Sequence, residues 1–143
     1  MPATARDIDR RAFLAALAAP LLAATEQEVL DLFTALASAL SEGNGLAFLD
    51  HVDHSMPDFE KLQRDIVALV EQNEVVAAID VIEDKGDDQT RAVQVDWLLQ
   101  IRSREETGTL VRRREIVKCR LQRAKKKWRV ASFDPINLFA PPK

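Results

Sequence analysis

The order of hydrophobic patterns along this chain predicts an α+β fold in which helices pack on one face of an antiparallel sheet. Residues 25–72 carry apolar side chains at helical spacing, whereas residues 75–133 alternate apolar and polar side chains as strands do. Turn residues separate the alternating segments, which is typical of a meander. With 143 residues, 47% of them hydrophobic and 30% charged, the chain is long enough for one domain with one core.

Two long helices and a short one are predicted in the first half. The first begins with the sequence TEQE at residues 25–28, a capping box whose hydroxyl and carboxylate would satisfy free amides of the first turn. It ends before the glycines of residues 43–45. A short helical segment follows at residues 46–52. The second long helix begins near Pro57, where a first turn tolerates proline, and ends at about residue 72.

Four strands are predicted in the second half, at about residues 75–83, 91–102, 111–122 and 127–133. The alternation places one set of apolar side chains on the same face of the sheet: Val93, Val95, Trp97, Leu99, Ile101, Val117, Cys119, Leu121, Trp128 and Val130. The other face is polar, so we expect water on it. Cys119 is the only cysteine, which excludes an intrachain disulfide, and its position predicts a buried thiol.

Charge is distributed unevenly along the chain. Residues 25–90 hold sixteen acidic residues and three basic ones, whereas residues 112–129 hold ten lysines or arginines and one acid. The basic segment could attract an anionic partner, a second copy of the chain or the chain's own acidic half. We do not expect nucleic acid binding, because only Trp128 interleaves with the basic residues and because Asp96 and Gln94 of the neighbouring strand offer cross-strand partners.

Residues 1–24 are predicted to be a separate targeting segment. The pair Arg10-Arg11 precedes a weakly hydrophobic run of alanine and leucine, and this arrangement resembles a twin-arginine signal peptide. The run at residues 12–24 is too short and alanine-rich for a permanent membrane anchor. We therefore expect a periplasmic or secreted domain at residues 25–140 with a tail at 141–143. The alternative is an ordinary leading helix on a cytoplasmic protein.

The order of the elements and four local segments together carry a resemblance to a known family. The segments are the helix exit at residues 39–44, the helix entry at 56–58, the closing strand at 127–130, and Asp134-Pro135 followed by Phe139. Over about residues 25–140 the chain resembles the nuclear transport factor 2-like superfamily, above all its bacterial SnoaL-like members of unassigned role. The resemblance implies a cystatin-like, cone-shaped domain whose curved sheet wraps the helices around a pocket, and dimerisation through the sheet.

Three residues are candidates for acid–base chemistry. His51 and His54 are the only histidines; their spacing would place both on one helical face, and imidazole titrates near neutral pH. A metal site would need a further ligand from elsewhere, and we expect no metal and no cofactor. The alternative is a polar connection in which Asp53 and Ser55 bind local amides. Asp96 is the third candidate, because the family's isomerases use a pocket carboxylate as base.

Four residues are candidates for lining a ligand pocket. Arg113 and Glu115 share the parity of the buried residues of their strand, which would point both toward the open end of the cone, where they would orient an anionic or carbonyl-bearing ligand. The alternative is that both charges are solvated near the strand end. Trp97 and Trp128 lie on the apolar face, where tryptophan fills a core more often than it provides a stacking platform.

These observations predict an exported, dimeric domain that binds a small apolar or mixed molecule without catalysis. The best-known isomerases of the family pair their base with a tyrosine, and this chain has none. Two alternatives stay open. One is a cofactor-free isomerase, dehydratase or cyclase, which would need a titratable group in an apolar cavity. The other is a dimeric assembly module, which a cavity filled by the protein's own side chains would favour.

Overall fold

Helices cover one face of a four-stranded antiparallel sheet in the computed structural model, which describes residues 24–105 and 108–142. Helix α1 occupies residues 24–41 of the described chain. The later elements are α2 Gly45–Asp50, α3 Phe59–Gln72, β1 Asn73–Gly86, β2 Thr90–Ser103, β3 Leu110–Ala124, β4 Lys127–Asp134 and a one-turn 3-10 helix at Ile136–Phe139. We call this last element the C-terminal turn. The predicted α+β class and order of elements are confirmed.

Local sequence explains where the helices end. Gly43 has a φ of 71°, the left-handed conformation that ends α1. The Asn44 side chain then caps α2 by accepting a hydrogen bond from the amide of Ala47 at 3.0 Å. In α3, the buried side chains of Leu62 and Ile66 lie one turn apart on the face toward the sheet. The sequence therefore sets both the breaks and the buried sides of these helices.

The predicted capping box of Thr25 and Glu28 does not begin α1. Ala24 is already helical, so Thr25 lies inside the helix. The Glu28 carboxylate instead accepts hydrogen bonds from Arg123 Nη2 at 2.7 Å and from Trp128 Nε1 at 2.9 Å. A bond to a charged guanidinium is stronger than one to a first-turn amide, which explains why this side chain reaches toward the β3–β4 hairpin.

Each strand pairs only with its neighbours in the chain, so the sheet order is β1-β2-β3-β4. Strands β1, β2 and β3 pair over nearly their full length, but β4 pairs only with the part of β3 from Lys118 to Ala124. A short parallel bridge between Val52 and Val130 adds one further segment beyond β4. Because β4 stops opposite Lys118, no strand of the described residues pairs with the first half of β3 on that side.

The two faces of the sheet differ as the alternation predicts. We call the face toward the helices the inner face and the opposite one the outer face. Buried residues of β2 to β4 on the inner face are Val93, Val95, Trp97, Leu99, Ile101, Val117, Cys119, Leu121, Trp128, Val130 and Phe133. They join the apolar sides of the helices in one core. The predicted buried set is therefore confirmed.

An aromatic cluster occupies the centre of this core. It consists of Trp97, Phe33, Phe48, Phe133 and Phe139, all buried. The ring centre of Phe139 lies 4.9 Å from that of Trp97, 5.2 Å from that of Phe133 and 5.4 Å from that of Phe48. Edge-to-face pairs of this kind add about 0.5–1.5 kcal/mol each beyond the area they bury.

The predicted targeting segment falls on residues 1–23 and Ala24, and residues 1–23 lie outside the described residues. In the part of the chain that is described, no helix has the length and apolar character needed to cross a membrane. The predicted tail is described as far as residue 142.

Candidate functional site

The interior of the cone, where the resemblance implies a pocket, is filled by the protein's own side chains. Phe139 enters it from the C-terminal turn and contacts the rings of Trp97, Phe48 and Phe133. The main concavities among the described residues open at the surface, and none is lined by Trp97 or Arg113. The expected ligand pocket is therefore not open, because an aromatic residue of the same chain occupies that space.

The two tryptophans have different environments although both are buried. Trp97 is fully buried, and its Nε1 has no hydrogen-bond acceptor among the residues the structure describes. Trp128 Nε1 donates to Glu28, and the Arg123 guanidinium lies 4.6 Å from the centre of the Trp128 ring. With His51, Trp128 also lines a surface depression of about 260 Å³. Trp128 thus holds α1 against the hairpin, whereas Trp97 fills the core.

Arg113 and Glu115 do not form the expected ligand-orienting pair. Arg113 Nη1 donates hydrogen bonds to the carbonyl oxygen of Leu138, at 2.8 Å, and to that of Ala140. The Glu115 side chain is exposed. The physical reason is the early end of β4, which leaves this half of β3 beside the C-terminal turn. Arg113 binds the backbone of that turn, and Glu115 faces solvent.

His51 and His54 line different surface concavities. His51 is half-buried, and burial lowers its pKa, opposed by the charge of Asp50. The His54 ring stacks on Phe59 with ring centres 4.5 Å apart, and its Nε2 lies 3.0 Å from the carbonyl oxygen of Leu49. The two imidazoles do not share a helical face, because α2 ends at Asp50 before either of them.

The connection after α2 is held by local polar bonds. The Asp53 carboxylate accepts hydrogen bonds from the amide of Ser55 at 2.9 Å and from its hydroxyl at 2.7 Å. These bonds lower the pKa of Asp53. The interpretation of this segment as a polar helix-to-loop connection is confirmed.

Asp96 lies on the outer face and is paired across strands. Its Oδ2 lies 2.6 Å from Arg114 Nη2, and its Oδ1 accepts from Arg114 Nε at 3.1 Å. The hydrogen bond to Arg114 lowers the pKa of Asp96. A carboxylate with a lowered pKa is a poor general base near neutral pH. The predicted cross-strand pairing is confirmed, and it leaves Asp96 unsuited to the catalytic use considered for it.

The structure does not assemble a reaction centre from these candidates. Asp96 is on the outer face, His51 is beside Trp128, and His54 is beside Phe59. Within residues 24–105 and 108–142, no three His, Cys, Asp or Glu side chains converge as metal ligands would. The Cys119 thiol is buried, and burial raises its pKa to about 12, which leaves almost no reactive thiolate.

The outer face carries apolar residues that were not singled out from the sequence. Val76 and Ile116 keep 59% and 48% of their surface exposed. The register sets Ala78 beside Leu98 and Ile116 beside Asp96, so these side chains form a diagonal band across β1, β2 and β3. We call Val76, Ala78, Leu98 and Ile116 the outer stripe. Its sequence signal is the doubled apolar residue, as in Val75-Val76 and Ile116-Val117, where alternation alone would place a polar one.

Charges of opposite sign flank the outer stripe. Asp80 and Asp96 lie directly opposite each other on β1 and β2, whereas Arg112 and Arg114 lie on β3. Arg114 is paired with Asp96, and in the described part of the chain no carboxylate lies within ion-pair distance of Arg112. Toward the end of β3 that pairs with β4, the outer face has a concavity of about 440 Å³ whose rim includes Lys118 and other charged residues. The outer face therefore carries a diagonal apolar band with charged side chains on both sides of it.

The two sequence comparisons find no match, whereas the structure comparison finds proteins of similar fold. No protein-family profile matches the chain, and no curated protein matches it. A conserved protein from Planctomyces limnophilus is similar with a TM-score of 0.70 and 10% identity, over 77% of this chain and 93% of that one. A proposed dehydratase of the nuclear transport factor 2-like family from Streptomyces avermitilis is similar with a TM-score of 0.63 and 14% identity. The similarity covers 77% of this chain and 94% of that one.

A third similar structure is a proposed calcium/calmodulin-dependent protein kinase II association domain from Xanthomonas campestris. Its TM-score is 0.55 at 14% identity, over 74% of this chain and 82% of that one. Identities this low show the fold alone. The early helices, the four-stranded meander and these similarities agree with one another, and this chain therefore has the nuclear transport factor 2-like, cystatin-like α+β fold.

Proposed function

We propose that this domain is an assembly module that binds a second copy of itself through the outer face of its sheet. The observation that carries the proposal is the outer stripe. Ile116 and Val76 stay exposed on a face that otherwise carries many charged side chains, while the cone interior is filled by the aromatic cluster. Apolar side chains that are exposed next to one another on a folded domain are often an interaction site.

The charges on the outer face favour a second copy as the occupant. In a two-fold interface the same patch meets itself, so it must be self-complementary. An axis parallel to β2 and lying between two packed sheets places β1 of one copy opposite β3 of the other. By the register, Asp80 then lies opposite the partner's Ile116, and the long side chains of the partner's Arg114 and Lys118 on either side of that position can reach its carboxylate. Leu98 on β2 meets Leu98 of the partner, as side chains of packed sheets do, and Ala78 meets the apolar stem of the partner's Arg114.

The area of this face suits a dimer. Strands of 14 residues extend about 45 Å, and three strands with their side chains are about 15 Å wide, which gives roughly 700 Å². Stable interfaces bury about 800 Å² on each partner. A full face-to-face contact would therefore be of ordinary size, whereas contact through the stripe alone would be weak.

The structural comparisons support the proposal only at the level of the fold. The similar domain from Xanthomonas campestris is described as an association domain, and assembly through this fold has that precedent. The similar protein from Streptomyces avermitilis is described as a proposed dehydratase. For this chain the enzymatic alternative is less well supported, because Asp96, His51 and His54 lie apart on the surface.

Sedimentation velocity over a range of protein concentrations tests the proposal. We expect the wild type to form a dimer at tens of micromolar and Ile116→Lys to remain a monomer, because a lysine in the stripe would be desolvated at the interface. Ile116 lies beside Asp96, so lysine is tolerated in the monomer. Leu46→Lys is the matched control: Leu46 is 78% exposed, but it lies on α2.

Two outcomes would contradict the proposal. One is a wild type that stays monomeric at every concentration. The other is a dimer that Ile116→Lys and Leu46→Lys affect equally, which would place the interface elsewhere.

The cell compartment is a separate part of the proposal. We infer export by the twin-arginine route from Arg10-Arg11 and the apolar run behind it. Changing both arginines to lysine and fractionating cells tests this inference. Retention of the variant in the cytoplasm with an uncleaved leader, beside an exported wild type, is the expected result. An identical distribution of the two proteins would contradict it.

A further inference from the structure

We propose that the lateral edge of β1 binds an extended, cationic peptide segment of another protein, which adds to the sheet as a further antiparallel strand. The peptide would use the side of the sheet rather than its outer face, so the proposal is independent of self-association. Three observations carry it: the open backbone groups of β1, the groove between α1 and β1, and the acidic charge of both elements.

β1 is an edge strand with backbone groups that point away from the sheet. It pairs with β2 on one side, and no strand of the described residues pairs with its other side. The amide of Ala77 points to that open side, because it donates to the hydroxyl oxygen of Ser41 at 3.1 Å. Backbone groups of alternate residues in a strand point the same way, so those of Ile79 face the open side too. Such an edge is a template for an added strand.

A groove runs between α1 and this open side of β1. Its volume is about 310 Å³, and its lining includes Ala37, Ser38 and Ser41 of α1 and Ala77 and Ile79 of β1. The side chains from α1 are small, so a further backbone can come close to both elements. Peptides that add to a sheet edge gain affinity from main-chain hydrogen bonds and specificity from pockets for every second side chain. The groove therefore accepts small apolar side chains from one face of the added strand.

A bulge in β1 limits the length of the added strand. The register of β1 with β2 shifts between Val81 and Glu83, which leaves Ile82 as an extra, exposed residue. Bulges interrupt regular pairing. The edge that can be paired runs from Asn73 to Val81, which is roughly 30 Å at the rise of a strand. This length is sufficient for a short extended peptide.

The charge of α1 and β1 selects a cationic occupant. Together the two elements hold seven acids and one base, Lys85, which is paired with Glu83. Glu42 lines the groove and Asp80 is exposed beside Ile79, and within the described residues no cation lies within ion-pair distance of either carboxylate. A second copy is a poor occupant of this edge, because its own β1 would set the same acids against these.

Fluorescence anisotropy of a labelled peptide, with the full chain as titrant, tests the proposal. The probe alternates lysine and valine from a lysine at each end. We expect Ala37→Arg to weaken binding by about tenfold or more, because the arginine fills the groove and repels lysine. Leu46→Arg adds the same charge at an exposed position of α2 and should bind as the wild type does. Ser41→Ala should bind roughly threefold more tightly, because it frees the amide of Ala77.

Methylation of the probe's own amides tests strand addition on the wild type. In an antiparallel pair, two residues that exchange both hydrogen bonds lie opposite each other with their side chains on the same face. The Ile79 side chain packs against the core, so the probe residue bonded to Ile79 is a valine facing the groove. We expect N-methylation of the valines to abolish binding and N-methylation of the lysines to preserve it. Saturating unmethylated probe should also slow hydrogen exchange at the amide of Ile79.

Three outcomes would overturn the proposal. One is equal binding of the two methylated probes, because attraction by charge alone does not distinguish the two edges of the peptide. Another is equal binding by Ala37→Arg and Leu46→Arg, or exchange at Ile79 that saturating probe leaves unchanged. The third is a wild-type dimer that Ala37→Arg abolishes, which would assign this edge to a second copy.

Discussion

Trp97 and Leu98 are neighbours in β2, yet they belong to opposite halves of this molecule. Trp97 is fully buried in the aromatic cluster, whereas Leu98 lies on the outer face between Ala78 and Arg114. The inner face has been filled with the protein's own rings, and the outer face has kept apolar surface that the monomer does not need. The comparison teaches that the two faces of one strand can differ completely: the inner face is packed with rings, and the outer face leaves apolar side chains exposed.

The largest expected effect is a difference in unfolding free energy between a substitution on the inner face and one on the outer face. Trp97→Ala should lower the free energy of unfolding by about 3–5 kcal/mol, since it leaves a cavity in a packed cluster. Leu98→Ala should cost the monomer much less, because its side chain is only half-buried. Urea unfolding at low protein concentration measures both. Equal losses would mean that the two faces are not energetically distinct.

The bond between α1 and the hairpin gives the next largest effect. Trp128→Phe keeps an aromatic ring but removes the Nε1 donor that binds Glu28, so we expect a loss of about 1 kcal/mol. Glu26→Gln, an exposed change on the same helix, is the control and should be neutral. If Trp128→Phe is also neutral in urea unfolding, the contact does not hold α1 in place.

His51 provides a smaller, pH-dependent effect on the inner side. Burial lowers its pKa below 6.5, so near and below that pH the unfolded chain binds more protons at this residue than the folded chain does. Its contribution to stability is present above pH 6.5 and is lost as the pH falls. The free energy of unfolding of His51→Gln, relative to that of the wild type, should therefore be higher at pH 5.5 than at pH 7.5. The opposite trend in urea unfolding would show that the charge of Asp50 affects the pKa of His51 more than burial does.

The smallest effect is expected on the outer face. Asp96 and Arg114 form an exposed pair, and such pairs add little to the stability of a monomer in salt. Asp96→Asn should leave the unfolding midpoint of the monomeric protein unchanged while it weakens self-association at low salt. A large loss of monomer stability would contradict our view of this face as a surface for assembly.

The sequence could predict whatever depends on local pattern. The alternation in β2 identified Val93 to Ile101 as buried on every second residue, and Gly43 identified the end of α1. The polar connection at Asp53 was also readable, since its bonds are local. All three depend on residues close together in the chain.

Features that depend on distant contacts could not be predicted. Glu28 looked like a local cap because Arg123 lies 95 residues away in the chain. Arg113 and Glu115 are two residues apart on β3, so alternation places them on the same face of the sheet. Only the point where β4 ends decides that the C-terminal turn covers Arg113 while Glu115 stays exposed. Phe139 lies after the last strand, where periodicity no longer applies, so the pattern gave no sign that it fills the cone.

Solvent exposure of individual methyl groups tests the central claim most directly. A soluble paramagnetic probe broadens the NMR signals of methyl groups that it reaches. We predict that the Ile116 methyl signals become protected as the wild-type protein concentration rises, while those of Leu46 on α2 stay broadened throughout. If Ile116 remains as accessible as Leu46 at the highest concentration, the outer face does not bind a second copy.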